Sequence, residues 1–305
     1  MVNYQIIPHR LFFLLLVLVA AVPAYGQGDD SPLPGGYLGP SPWHFFPGSV
    51  LVPGPYAGKY EARIGGSRES ENDKLRLDIG GSVDILAYNK YRKPQEFSFG
   101  ADFFTWTRLR ASGGFKFPVE AVDYYFGING AFKATEEESI FSDVRVRLAH
   151  ISAHLVDGDP SFTSPQQEYI TYSREFLDAT VGFDGKKLLG LRGPKLFALR
   201  PYAGAQWLFH TIPDTLGVVT PYAGLDASWQ PGSALPLTFR FGYEARLNTE
   251  LEPIGEHQAR LGMKIGDIDS RGVILEGSYY SGRSHYGQHF SSREKFFSLG
   301  FAVEF

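Results

Sequence analysis

The sequence predicts an all-β fold: a transmembrane antiparallel up-and-down β-barrel of about twelve strands. Four observations carry that prediction. Phe297, Leu299, Phe301, Val303 and Phe305 are apolar at every second position, with Ser298, Gly300, Ala302 and Glu304 between them. A period of two puts the two sets on opposite faces of one strand. The same alternation recurs along most of the chain after residue 59, in segments long enough to cross a bilayer at a tilt. No stretch after the first 26 residues approaches the roughly 20 uncharged apolar residues that a spanning helix needs. Aromatic residues make up 15% of the chain, with 17 Tyr and 25 Phe, as girdles at two membrane interfaces require.

The elements follow in order. Arg10 precedes an apolar run from Leu11 to Val22, and Ala24-Tyr25-Gly26 follows it. This is the charged region, apolar region and small-residue cleavage site of a signal peptide over residues 1–26. Residues 27–58 open with Asp29-Asp30-Ser31-Pro32 and stay rich in Pro and Gly. They read as an extended periplasmic leader without a core of its own. In it, Trp43, Phe45 and Phe46 either tuck against the barrel mouth or anchor at the interface.

Residues 59–305 form the barrel. Strands are expected near 59–66, 75–85, 95–108, 122–133, 141–155, 168–183, 195–210, 217–229, 237–246, 258–265, 272–282 and 295–305. An even count returns both termini to one side. It puts turns near 89–94, 134–139, 185–195, 230–235 and 267–270 inside, and loops near 111–121, 156–167, 211–217, 248–255 and 283–294 outside. The expected lumen is mixed in sign: Arg63, Asp78, Asp102, Asp143, Arg145, Arg147, Arg200, Asp226, Arg240, Glu244, Arg260 and Glu276. A dozen strands enclose a modest interior, so these charges are expected to pair into a filled network rather than line a general porin.

Composition narrows the function classes. A formal charge of -4 argues against a nucleic-acid partner, which favours a basic surface. The chain has no cysteine, so disulfides and an acylated lipoprotein anchor are both excluded. No Gly-x-Ser-x-Gly, Walker-type or dinucleotide fingerprint is present. The pair His285 and His289 lacks further ligands at a useful spacing for a metal. Asp157 and Asp159, in an outer loop, offer oxygen ligands for Ca²⁺, or are simply a solvated turn; no other cofactor is expected.

One strand carries chemistry. Asp143, Arg145 and Arg147 must face the lumen, which turns Val144, Val146 and Leu148 to the lipid. The same parity carries His150, Ser152 and His154 to the lipid side. On the next strand Leu177, Ala179, Val181 and Phe183 set a lipid face that includes Glu175 and Ser173. A hairpin closing symmetrically around Ser161 and Phe162 puts His150 opposite Ser173, with Glu175 on the diagonal. The roles then follow triad logic: Ser152 as nucleophile, His150 as general base and Glu175 orienting the imidazole, with His154 beside them. The competing reading is ordinary interface chemistry, where polar groups are cheap, about 0–1 kcal/mol for a misplaced charge.

Three resemblances attach to these residues. The strand ending at Phe305 resembles the closing strand of bacterial outer-membrane barrels, where it is also the address read by the assembly machinery. That implies a Gram-negative outer-membrane location, with outer-membrane lipids and the assembly machinery as partners; oligomeric state stays open. His150-Ile151-Ser152 resembles the His-x-Ser of outer-membrane phospholipase A and lipid A deacylase, which face outer-leaflet lipid with an Asn or Glu from the next strand. That resemblance implies a lipid ester hydrolase. This chain departs from it: Ala153, not Asn, follows Ser152, and Glu175 lies across a long loop. The run from Arg147 to Gly158, with Tyr172-Ser173-Arg174-Glu175-Phe176-Leu177 and Phe46-Pro47-Gly48-Ser49-Val50-Leu51-Val52, resembles an uncharacterised outer-membrane family. Its signature is His-x-Ser-Ser-His-Leu-Gly-Asp, where Ala153 and Val156 replace the second Ser and the Gly. That likeness implies a barrel and no activity. The classes left open are a lipid hydrolase, a non-enzymatic structural barrel, and a narrow channel or transporter.

Overall fold

The computed structural model describes residues 42–70, 73–89, 95–134, 139–159, 170–191, 196–214, 217–232, 236–268 and 270–304. The expected signal peptide, the first part of the expected leader, the expected hairpin apex at Ser161 and Phe162, and Phe305 lie outside these residues. Residues 42–305 form one compact unit, so position 59 does not mark a structural boundary.

The wall is an antiparallel sheet in chain order. Its strands are β2 (Ile64–Glu69), β3 (Lys74–Asn89), β4 (Gln95–Arg110), β5 (Val119–Ala134), β6 (Phe141–Leu155), β7 (Tyr172–Phe183), β8 (Phe197–Ile212), β9 (Val219–Trp229), β10 (Leu237–Asn248), β11 (Ile254–Ile265), β12 (Gly272–Arg283) and β13 (Arg293–Glu304). β13 pairs with β2, Ala302 opposite Gly65, and this closes a twelve-stranded barrel with no open edge at that seam. An extra strand, β1 (Trp43–Phe45), pairs with Leu86–Tyr88 of β3.

The wall is inside out relative to a soluble protein. Phe97, Phe99, Phe103, Leu148, Trp207, Phe241, Leu261, Leu275, Leu299 and Phe301 are exposed, while Arg147, Asp178, Glu244, Arg260 and Lys264 are buried. Only an apolar solvent on the outside makes that arrangement favourable. Inner connections are short. The inner turn after β7 is longer because it holds helix α1 (Gly185–Leu189). Asp184 caps its start through the backbone amides of Lys186 and Lys187, and Gly190 ends it at φ 62°.

The leader behaves differently from the expectation. β1 and β2 run in the same direction along one edge of β3, like two ends of a single interrupted strand. The intervening residues leave the wall and form a strap through the lumen. Lys59 reaches Glu256 of β11 at 2.9 Å, and Glu61 meets Arg145 and Arg147 of β6 at 2.5 and 3.2 Å. Arg63 and the Tyr56 hydroxyl both bind Glu276 of β12, at 2.6 and 2.9 Å. Gly242 of β10 makes room for the strap backbone, since a Cβ there would lie 2.9 Å from the Ala57 amide nitrogen. Trp43, Phe45 and Phe46, outside the lumen, are exposed.

The lumenal charges pair as expected. Arg200 binds Asp143 and Asp226, Arg240 binds Glu304, Arg260 binds Glu276, and Asn129 donates to Asp102. A pocket of about 20 Å³ remains between Arg63, Arg76, Gln258 and Tyr280, room for about one water. Toward the loop end the interior becomes aromatic: Tyr60 of the strap packs with Phe104, Trp106, Tyr125, Ile151, Phe176, Leu208 and Tyr286.

Candidate functional site

The site is built on three neighbouring strands at the loop end of the wall. Parity on β6 is as expected: Asp143, Arg145, Arg147, Ala149, Ile151 and Ala153 are buried, while Val146, Leu148 and His154 are exposed and His150 and Ser152 half-exposed. On β7, Arg174, Phe176 and Asp178 are buried, and Ser173 and Glu175 share the outer face with Leu177. Ion pairs on the lumenal side hold both strands to this choice. Arg147 meets Glu61 and Asp178, and Arg174 meets Glu250. A slip of one residue would send these charges into lipid, so the outer face is fixed by the inner one.

The register differs from the symmetric hairpin. His150 stands directly opposite Glu175, and Ser152 opposite Ser173. The slip is two residues, so every side chain keeps its face while its partner changes. The physical result is a closer contact than the diagonal expected from sequence: His150 Nδ1 lies 2.6 Å from Glu175 Oε1. An ionised carboxylate only accepts, so the proton of that bond sits on Nδ1. The other ring nitrogen, Nε2, is left as the acceptor, which is the state a general base needs.

Ser152 lies two residues along on the same face; its hydroxyl has no hydrogen-bond partner among the described residues, His150 included. Ser173 donates to Glu175 Oε1 at 3.3 Å. His154 is exposed and packs edge-on against Tyr124 at 5.7 Å between centroids. It does not join the pair of His150 and Glu175. Tyr124 and Phe126 of β5 stand beside Ser152 and His150, so the group is framed by apolar rings facing the lipid. Behind it Ala149, Ile151 and Phe176 are buried in the aromatic interior.

A residue that sequence reasoning missed completes the group. His210 of β8 stands opposite Glu175, and its Nδ1 binds Glu175 Oε2. Regular alternation on β8 turns Tyr202, Gln206 and Leu208 inward, which would carry His210 inward as well. The pairing with β7 shifts by one residue between Glu175 and Phe176, so Phe209 is extra and His210 emerges outside. The available signal was the change of apolar parity from Trp207 and Phe209 to Ile212.

The loop residues behave as follows. Asp157 is exposed. Asp159 is buried and faces His289 Nε2 at 3.7 Å. His285 is buried against Tyr280 and Phe296. Among the described residues, no group of three or more His, Asp or Glu side chains is placed to hold a metal ion.

These features define a transmembrane β-barrel of the outer-membrane type, with a polar cluster on its lipid face. No family model matches the chain, and no curated protein does. Among solved structures, outer membrane phospholipase A from Escherichia coli is similar at 12% identity and TM-score 0.47, over 80% of this chain and 93% of that one. The Salmonella typhi outer membrane phospholipase dimer with bound calcium gives 12% identity and TM-score 0.48, over 83% and 93%. The translocator domain of the autotransporter NalP from Neisseria meningitidis gives 14% identity and TM-score 0.36, over 79% and 85%.

Proposed function

We propose that this protein is an integral outer-membrane barrel that hydrolyses ester bonds of outer-leaflet lipids, phospholipid or lipid A, at Ser152, His150 and Glu175. The observation that carries the reading is the 2.6 Å bond from His150 Nδ1 to Glu175 on the lipid side of the wall. A carboxylate and an imidazole facing hydrocarbon are costly unless paired, and this pairing leaves Nε2 directed to other chemistry. Ser152 Oγ attacks the ester carbonyl while His150 Nε2 takes its proton. Glu175 stabilises the imidazolium that forms. Collapse of the tetrahedral adduct expels the lysolipid alcohol, which takes the proton from Nε2. Water, deprotonated by the same nitrogen, then attacks the acyl-Ser152 ester and releases the fatty acid.

A barrel site needs no separate lipid channel, because the substrate diffuses in the plane of the membrane to the strand face that carries the nucleophile. The filled lumen weighs against conduction as the main activity: the strap and its ion pairs occupy the space that a channel would use. The alternating apolar face of β13 fits recognition by the outer-membrane assembly machinery.

The test is acyl release from phospholipid vesicles and from lipid A by the purified, folded protein, with and without Ca²⁺. Release by wild type that vanishes in Ser152→Ala supports the hydrolase. No release by folded wild type under either condition sinks the proposal for those lipids and leaves a structural barrel. Dependence on Ca²⁺ that disappears in Asp157→Asn or Asp159→Asn would assign the ion to that loop.

A further inference from the structure

The bulge on β8 is the unexplained feature beside the site. Up to Phe209 the strand alternates regularly, with Ala203, Ala205, Trp207 and Phe209 outward and Gln206 and Leu208 buried. One extra residue then reverses the alternation, so that Phe209 and His210 are 51% and, at the side chain, 61% exposed. Ile212 continues on the outer face. Bulges re-aim side chains at the cost of ladder hydrogen bonds, and in a bilayer that cost is larger than in water. What this one delivers is an imidazole placed on the free oxygen of Glu175.

Resting on the hydrolase reading, we propose that His210 is a positioning residue for that site, acting through Glu175. A carboxylate held at one oxygen still turns about its last side-chain torsion, which is broad. Here Oε1 takes His150 and Ser173, while Oε2 takes His210. Anchoring both oxygens fixes the carboxylate plane and keeps Oε1 aimed at His150 Nδ1. The proton then stays on Nδ1, and Nε2 stays basic. His210 touches neither the nucleophile nor the acyl group in this scheme. It sets the orientation of the residue that sets the base.

Loss of the outer hydrogen-bond partner of a metal-binding histidine or carboxylate costs about 10- to 100-fold in activity, and the same scale is expected for this metal-free contact. In acyl release from phospholipid vesicles, His210→Leu is expected to lower kcat by that factor with KM within about two-fold. His210→Asn, whose amide keeps an N–H donor near the position of Nδ1, should recover most of kcat. Deleting Phe209 removes the bulge but leaves His210 next after the inward Leu208, opposite Glu175 on the outer face, so that variant should keep most of kcat. Unchanged kcat in His210→Leu, or an equal loss in His210→Asn, overturns the role. A second readout needs no turnover: the His150 Nδ1 proton in histidine-¹⁵N-labelled protein in micelles. It should be sharp and slowly exchanging in wild type and in His210→Asn, and broadened in His210→Leu. If wild type releases no acyl chain but this proton still depends on His210, the hydrolase reading fails and the positioning contact stands. A proton indifferent to His210 overturns the inference whatever the activity.

Discussion

Replacing Lys59 by Met tests whether the strap is seated in the lumen. Lys59 Nζ lies 2.9 and 3.0 Å from the two oxygens of Glu256 and 3.3 Å from the Arg283 carbonyl. Both side chains of the pair are only 2% exposed. Methionine preserves most of the volume but removes the charge, leaving Glu256 buried. Breaking one side of a buried pair costs about 3–5 kcal/mol. The loss here belongs at the lower end, about 3 kcal/mol, because Asn248 Nδ2 and the Arg283 amide still donate to Glu256 at 3.0 and 3.2 Å. At about 2–4 °C per kcal/mol for a domain of this scale, Tm should fall by about 6–12 °C. The assay is thermal melting in detergent micelles, followed by circular dichroism and by loss of the compact form on gels. Adding Glu256→Gln to Lys59→Met should restore most of the loss, since the uncompensated charge is then gone. A shift of under about 2 °C in the single variant, or no recovery in the double, would refute the lumenal seat of the strap.

The remaining predictions concern conductance, catalysis and pH. Replacing residues 51–62 with a Gly-Ser segment of equal length should give stepwise conductance in planar bilayers where wild type gives none; an equally silent variant would mean that the wall residues alone fill the lumen. Glu175→Ala should lower kcat for acyl release by about 10²- to 10⁴-fold with little change in KM, whereas Ser173→Ala, which loses one long hydrogen bond, should stay within about three-fold; equal losses would reassign the nucleophile. In the loop after β12, burial first and then the nearby Arg76 and Lys59 push the pKa of His285 well below the ordinary 6.5. The unfolded loop therefore takes up the proton first, so the loop's stability is complete above pH 6.5 and falls as pH drops below it. Once the intrinsic slowing of exchange at lower pH is divided out, amide protection in residues 284–292 should fall between pH 7 and 5 in wild type and lose most of that dependence in His285→Phe.

How much was legible in the sequence depends on how local the signal is. The strand faces were legible because Asp143, Arg145 and Arg147 alternate with Val144, Val146 and Leu148, and lipid tolerates only one assignment. The register of β6 and β7 was not. It rests on how a long loop closes, and a shift of its apex by one residue moves Glu175 from the diagonal to the position opposite His150. The strap was invisible for a different reason. Residues 46–63 have no period to read, and their partners are remote: Lys59 and Glu256 are 197 positions apart. His210 was hidden by a bulge, which breaks the very rule that made the other faces readable.

Covalent capture is the sharpest test of Ser152 as a nucleophile at the lipid face. Wild-type protein in micelles is treated with a long-chain alkyl fluorophosphonate, then digested and sequenced by mass spectrometry. A single adduct on Ser152 is expected, abolished in Ser152→Ala and slowed in His150→Ala. Folded protein that takes no label, or that takes it on Ser173 or another serine with Ser152 untouched, would contradict it.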